Sequence, residues 1–220
     1  MKHFLNTRVF GFSHLLAPLL ALALTGCGLM GSAPPPTMHT FILDGEMPSE
    51  TLPTVTERAG KGVLLVNVPR ANAGFSTPRM AYSVREHEVN YFTQNQWANT
   101  PAQMLHPLLV QALERTKIWE TVVRMPSTVR GDFQLDTENL ELLQEFIQQP
   151  SRVRLKLRMQ LIELRGHRPI GTREFSVLEE APDEDPYGGV LAANRAVTEL
   201  LKQLTDWLTT CMSEPELGKC

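Results

Sequence analysis

Arg152-Val153-Arg154-Leu155-Lys156-Leu157-Arg158-Met159-Gln160-Leu161 alternates a polar side chain with an apolar one along its whole length. Successive side chains of a strand point to opposite faces, so one face of this strand is core and the other meets water. A sheet wetted on one side is typically antiparallel. The wet face is strongly basic, which on its own resembles a stripe for phosphate or lipopolysaccharide. However, the strand predicted just before it, Gly131 to Leu142, offers Asp132, Asp136 and Glu138 on its own polar side. Opposite charges across an antiparallel pair contribute about 0.2 to 1 kcal/mol. The expected exterior is therefore salt-bridged.

Outward from this strand the pattern continues on both sides. After a turn at Arg165-Gly166-His167, Ile170 to Leu178 returns as a strand through Phe175 and Val177. An acidic loop, Glu179 to Asp185, precedes a helix expected from about Gly189, whose Val190, Ala193, Val197, Leu200, Leu201, Leu204, Leu208 and Cys211 share one stripe. On the other side, the alternation of the Gly131 strand changes phase near Asn139, the mark of a bulge. Glu120 to Met125 is a shorter strand. Thr100-Pro101-Ala102-Gln103 is a helix start: the Thr100 hydroxyl can accept from the Gln103 amide, and Pro101 occupies a position whose amide has no partner anyway. Leu105, Leu108, Leu109, Ala112 and Leu113 then recur at helical spacing, and the helix fades near Lys117.

Arg79 to Glu86 and Val89 to Gln96 read as a hairpin around His87. Gly62 to Pro69 is a nearly unbroken run of Val and Leu, the composition of a strand buried on both faces. Thr40 to Asp44 is a short strand, and residues 46–61 are a loop. The body over 39–220 is thus expected to be α+β: a mostly antiparallel sheet with two principal helices packed on one face.

Ahead of the body, Lys2 and Arg8 flank an apolar run from Leu15 to Leu24. That run is too short to span a bilayer, which needs about 20 apolar residues, and fits the core of a secretory signal peptide over 1–26. Leu24-Thr25-Gly26-Cys27 resembles the lipobox of bacterial lipoproteins. That likeness implies acyl chains on Cys27 as lipid attachment, where several chains anchor and one alone does not. In Gram-negative lipoproteins Asp after the cysteine favours the inner membrane. Here Gly28 follows, so the resemblance implies the periplasmic face of the outer membrane. Residues 27–38, with Pro34, Pro35 and Pro36, form a tether. Extended at roughly 3.1 Å per residue, such a tether reaches about 30 Å.

Removing the first 26 residues takes away Lys2 and Arg8 and no acid, leaving the chain two charges more negative than its full-length −3. A mildly acidic chain without a basic tract gives no reason to expect nucleic acid. Cys211 and Cys220 sit in a compartment that permits disulfides, and a bridge between them is left open by the sequence. With no histidine close by, they fall short of a metal site. His39, His87, His106 and His167 fall on different elements. The phosphate loop, the His-Glu-x-x-His pair and the Gly-x-Ser-x-Gly elbow are missing, so neither a cofactor nor an enzyme is indicated.

Tyr91, Trp97-Ala98 and Pro101 opening a helix, after Leu65-Val66-Asn67-Val68-Pro69, resemble the ABC-type transport auxiliary lipoprotein family, which includes PqiC-like proteins. The likeness extends from about Thr40 to Thr210, including the closing Ala- and Leu-rich helix. It implies a non-catalytic outer-membrane lipoprotein that works with an inner-membrane ABC permease and an MCE-domain protein to move lipids between membranes. The likeness to PqiC-like relatives also implies assembly into homo-oligomeric rings. Such a role needs an exposed interaction surface, and Phe75, Tyr82, Tyr91 and Phe92 are its candidates. Tyr91 and Phe92 are adjacent in a strand and so point to opposite faces. Trp97, at a strand-to-helix junction, reads as a core residue. The alternative role is an outer-membrane lipoprotein that scaffolds or activates peptidoglycan assembly.

Overall fold

The structure, a computed structural model, describes residues 36–45, 60–213 and 220. The expected signal peptide, Cys27, most of the tether and most of the 46–61 loop lie outside the described residues. Among the described residues the elements are β1 (His39–Phe41), β2 (Val63–Val66), β3 (Arg79–Ser83), β4 (Asn90–Trp97), α1 (Pro101–Arg115), β5 (Thr121–Arg124), β6 (Phe133–Glu145), β7 (Arg152–Glu163), β8 (Arg168–Glu180) and α2 (Pro186–Ser213).

β6 holds the sheet together. Along one edge it pairs antiparallel with β7, from Phe133↔Glu163 to Glu145↔Arg152. Its other edge is shared. β2 takes the first part in parallel, Leu64↔Phe133 to Val66↔Leu135, and β3 takes the last part, also in parallel, Ala81↔Leu143 to Ser83↔Glu145. Between them the chain keeps to the same edge without strand geometry. The amides of Asn67, Arg70 and Asn72 donate to the carbonyls of Leu135, Thr137 and Leu140 at 3.1, 2.9 and 3.1 Å. β5 lies parallel beside β2, β8 antiparallel beside β7, and β4 then β1 extend the sheet beyond β3.

The α+β class stands, but the sheet is mixed. Its two longest ladders are antiparallel, whereas β2 and β3 both run with β6 because the chain between them advances along one edge instead of turning back. Asn139 has φ 55°, a conformation Asn tolerates, and the β6–β7 register shifts between Glu138 and Glu141, placing a bulge where the alternation changes phase.

Core formation follows the β7 pattern. Val153, Leu155, Leu157, Met159 and Leu161 are each at most 2% exposed and share one cluster with Leu105, Leu109 and Leu113 of α1 and Val197, Leu200, Leu204 and Leu208 of α2. Both helices pack on this face and touch each other. Thr100 Oγ1 accepts from the Gln103 amide at 3.3 Å, as its spacing predicts. α2 starts earlier than expected. Asp185 caps it, its Oδ1 accepting from the Gly188 amide at 2.7 Å, and Pro186 follows as the first helical residue. A Cβ at Gly189 would stand 2.1 Å from Gln144 Oε1, so glycine lets the first turn lie directly on β6. At the far end, Cys211 and Cys220 are joined as a disulfide, with Cα atoms 5.4 Å apart.

The outer face carries ion pairs, though not all the expected ones. Arg158 reaches Glu138 at 3.9 Å, and Arg154 grips Glu145 through both carboxylate oxygens at 2.7 and 2.9 Å. Asp132 instead accepts from the Val63 amide at 3.0 Å and pairs with Arg165 at 2.8 Å, while Asp136 accepts from Asn67 and Gln134. Replacing fully buried Leu157 with Ala is expected to cost about 2–5 kcal/mol, and Asp185→Ala about 1 kcal/mol through loss of the cap. Urea unfolding of the two variants checks both, and an equal, small loss for both would contradict this account of the core.

Candidate docking surface

The four aromatic candidates separate into two groups. Phe75 is buried, so it presents no surface, and its amide donates to the Asn72 carbonyl at 2.9 Å. Tyr91 lies on the outer side with its partner Ala81. Its hydroxyl donates to the Gly74 carbonyl at 2.9 Å, and the Arg79 guanidinium stands 3.8 Å over its ring. These two residues hold the loop between β2 and β3.

Tyr82 and Phe92 form the second group, with ring centroids 4.5 Å apart. Phe146, which the pattern reading missed, completes it at 6.0 Å from Tyr82 and 6.5 Å from Phe92. The missed signal is the length of β6: it runs past Leu142 to Glu145, and the Phe146 amide then donates to the Ser83 carbonyl at 2.8 Å. All three rings are half-buried, and Phe92 also packs against the core, so it is the inward member of the Tyr91-Phe92 pair. Around them Val84, Val89 and Ile147 are 52%, 43% and 50% exposed. The result is an apolar shelf where the β3–β4 and β6–β7 turns meet. α2 begins over Gln144, and Phe146, next on that face, lies at the margin of the helix layer. Trp97, by contrast, is buried in the core.

Carboxylates flank the shelf on both sides. The β3–β4 turn reads Arg85-Glu86-His87-Glu88, with an Arg85–Glu88 ion pair. Hydrogen bonds from Asn90 and then Arg85 hold the Glu88 carboxyl below its ordinary range, so it stays ionised. On the other side the loop before α2 is tied to the β6–β7 turn: the Ser151 amide donates to Glu184 Oε1 at 2.7 Å, the Ala181 amide to the Ser151 carbonyl at 2.7 Å, and Gln144 Nε2 to the Asp185 carbonyl at 3.1 Å.

A separate notch opens where β2 leaves regular geometry. Two clefts of about 450 and 460 Å³ share Val68, Met125 and Pro126; one is lined by Asn67, Arg70 and Asp136, the other by Gln103, His106 and Arg124. His106 is buried, with Nε2 at 2.9 Å from the Val66 carbonyl, so it fastens α1 to β2. Burial pushes its pKa below the ordinary histidine value, and the nearby Arg124 charge adds to this, against the raising effect of the Val66 carbonyl. Among the described residues, no cluster of His, Cys, Asp and Glu could hold a metal ion, and no helix is long and apolar enough to cross a membrane.

A depressed folded-state pKa means that below the ordinary histidine range the unfolded chain binds a proton that the folded chain resists. The His106 contribution is therefore fully present above that range and declines as the pH falls through it. Stability should drop with acidification in that window, and His106→Gln should flatten the slope. Urea unfolding across pH checks this; an unchanged slope in the variant would assign the pH dependence elsewhere.

Against known proteins, the model of a family described as "ABC-type transport auxiliary lipoprotein component" matches residues 43–205. A crystal structure from Xanthomonas campestris superposes with TM-score 0.70 at 19% identity, covering 80% of this chain and 97% of that one. A second solved structure, of a protein described as uncharacterized, gives TM-score 0.59 at 13% identity over 78% of this chain and 99% of its own. At these identities the likeness is one of fold. Among curated proteins, none matches the chain in sequence.

Proposed function

Because the chain belongs to the ABC-type transport auxiliary lipoprotein component family, we propose that it is an outer-membrane-anchored periplasmic lipoprotein serving a lipid transport system that links inner and outer membranes. In this reading acyl chains on Cys27 hold it to the membrane, and residues 27–38 hold the body away from the lipid. An inner-membrane ABC permease with an MCE-domain protein is its partner system, and copies of the chain assemble into a ring. Its part is docking and anchoring, not catalysis. The observation that carries the reading is the family match, which runs through almost the whole sheet and most of α2. The shelf at the end of β6 supports it, since half-exposed aromatic and aliphatic groups gathered at one place are what a docking part needs.

Crosslinking in intact cells, followed by isolation of the chain from membranes, tests the role. An MCE-domain protein among the crosslinked partners is the expected result. Recovery of a peptidoglycan synthase in its place would favour the scaffolding alternative and contradict this reading. The anchor has its own test: Cys27→Ala should release the protein from the membrane fraction without changing its unfolding transition. Continued fractionation with the outer membrane would show that something other than the acyl chains holds it.

A further inference from the structure

Charge is distributed unevenly over the exterior. On the outer face of β6, β7 and β8, acids and guanidiniums neutralise one another, as in Glu145 with Arg154 and Glu138 with Arg158. The two loops that bound the shelf are different. Between Ser83 and Asn90, and between Glu180 and Pro186, they hold Glu86, Glu88, Asp183, Glu184 and Asp185, with Arg85 as their one guanidinium. Part of this charge has a structural use, since Asp185 caps α2 and a carboxylate suits a helix N-terminus. Glu86 and Asp183, one in each of these loops, are exposed and carry further negative charge.

An apolar floor between acidic banks selects among occupants. An anionic lipid surface attracts basic clusters and is repelled by this one. The geometry points to a cationic amphipathic segment of a partner protein as the occupant of the shelf formed by Tyr82, Phe92, Phe146, Val84 and Ile147. Its apolar side chains displace water from the half-exposed rings, and its Lys or Arg side chains meet Glu86 on one bank and Asp183 on the other. This inference rests on the docking role proposed above and specifies the chemistry of the partner.

The test uses the full lipidated protein in nanodiscs of zwitterionic phosphatidylcholine. The probe is a fluorescent helix-forming peptide with leucines on one face and lysines on the other, beside a counterpart with every lysine replaced by glutamate. Binding is read by anisotropy against empty nanodiscs. The lysine peptide should bind at least about tenfold more tightly than the glutamate peptide and weaken with added salt. Val84→Ser with Ile147→Ser should reduce its binding, as should Glu86→Gln with Asp183→Asn, while circular dichroism and nanodisc incorporation stay unchanged. Equal binding of both peptides, or indifference to both pairs of substitutions, would overturn the proposal.

A fluorophore on Ile147→Cys reads the competing occupants without peptide. Quenching by nitroxide lipid would assign the shelf to the membrane, and concentration-dependent shielding would assign it to a second copy. Either result overturns the inference. Failure of the transport role is read separately: absence of an MCE-domain protein from the cellular crosslinks leaves peptide binding and its charge dependence measurable.

Discussion

The architecture depends on one edge of β6 serving two strands in succession. A buried strand must have its amides and carbonyls paired, and here the pairing is handed from β2 through residues 67–72 to β3. Because β2 and β3 run the same way, the sheet widens differently at its two ends. At the start of β6 it carries β2 and β5, and at the finish it carries β3, β4 and β1. The Asn139 bulge lies within the handover, where the local bridge is Ala71↔Leu140. The finishing end is where two turns, the loop before α2 and the first helical turn converge, and that convergence gathers the Tyr82, Phe92 and Phe146 rings at the margin of the helix layer.

Strong periodicity made much of this legible beforehand. The β7 alternation identified the core face residue by residue, the phase change marked the bulge at Asn139, and Thr100-Pro101 marked the start of α1. Strand direction was not legible. β2 and β3 are four and five residues long, and short apolar runs encode burial but not which way a neighbour runs. The start of α2 was hidden because Asp185 belongs equally well to an acidic loop; its capping role depends on the helix that follows. Aromatic identity alone did not separate Phe75 and Tyr91, which hold a loop, from Tyr82 and Phe92, which face the shelf. That division depends on where the 72–79 loop folds back, a tertiary fact with no local signature. Phe146 escaped because the β6 alternation, restarted by the bulge, was followed only as far as Leu142.

A neutralised outer face and an acidic, apolar end give the body one surface with a chemistry of its own. The proposed docking site for a transport partner is this end, and not the flat face of β6, β7 and β8. Hydrogen–deuterium exchange of the membrane-bound protein with and without the proposed MCE-domain partner tests it most directly. Slowed exchange confined to the β3–β4 turn, the β6–β7 turn and the loop before α2 is the predicted result. Slowed exchange along the outer face of β7 and β8, with those three segments unchanged, would contradict it.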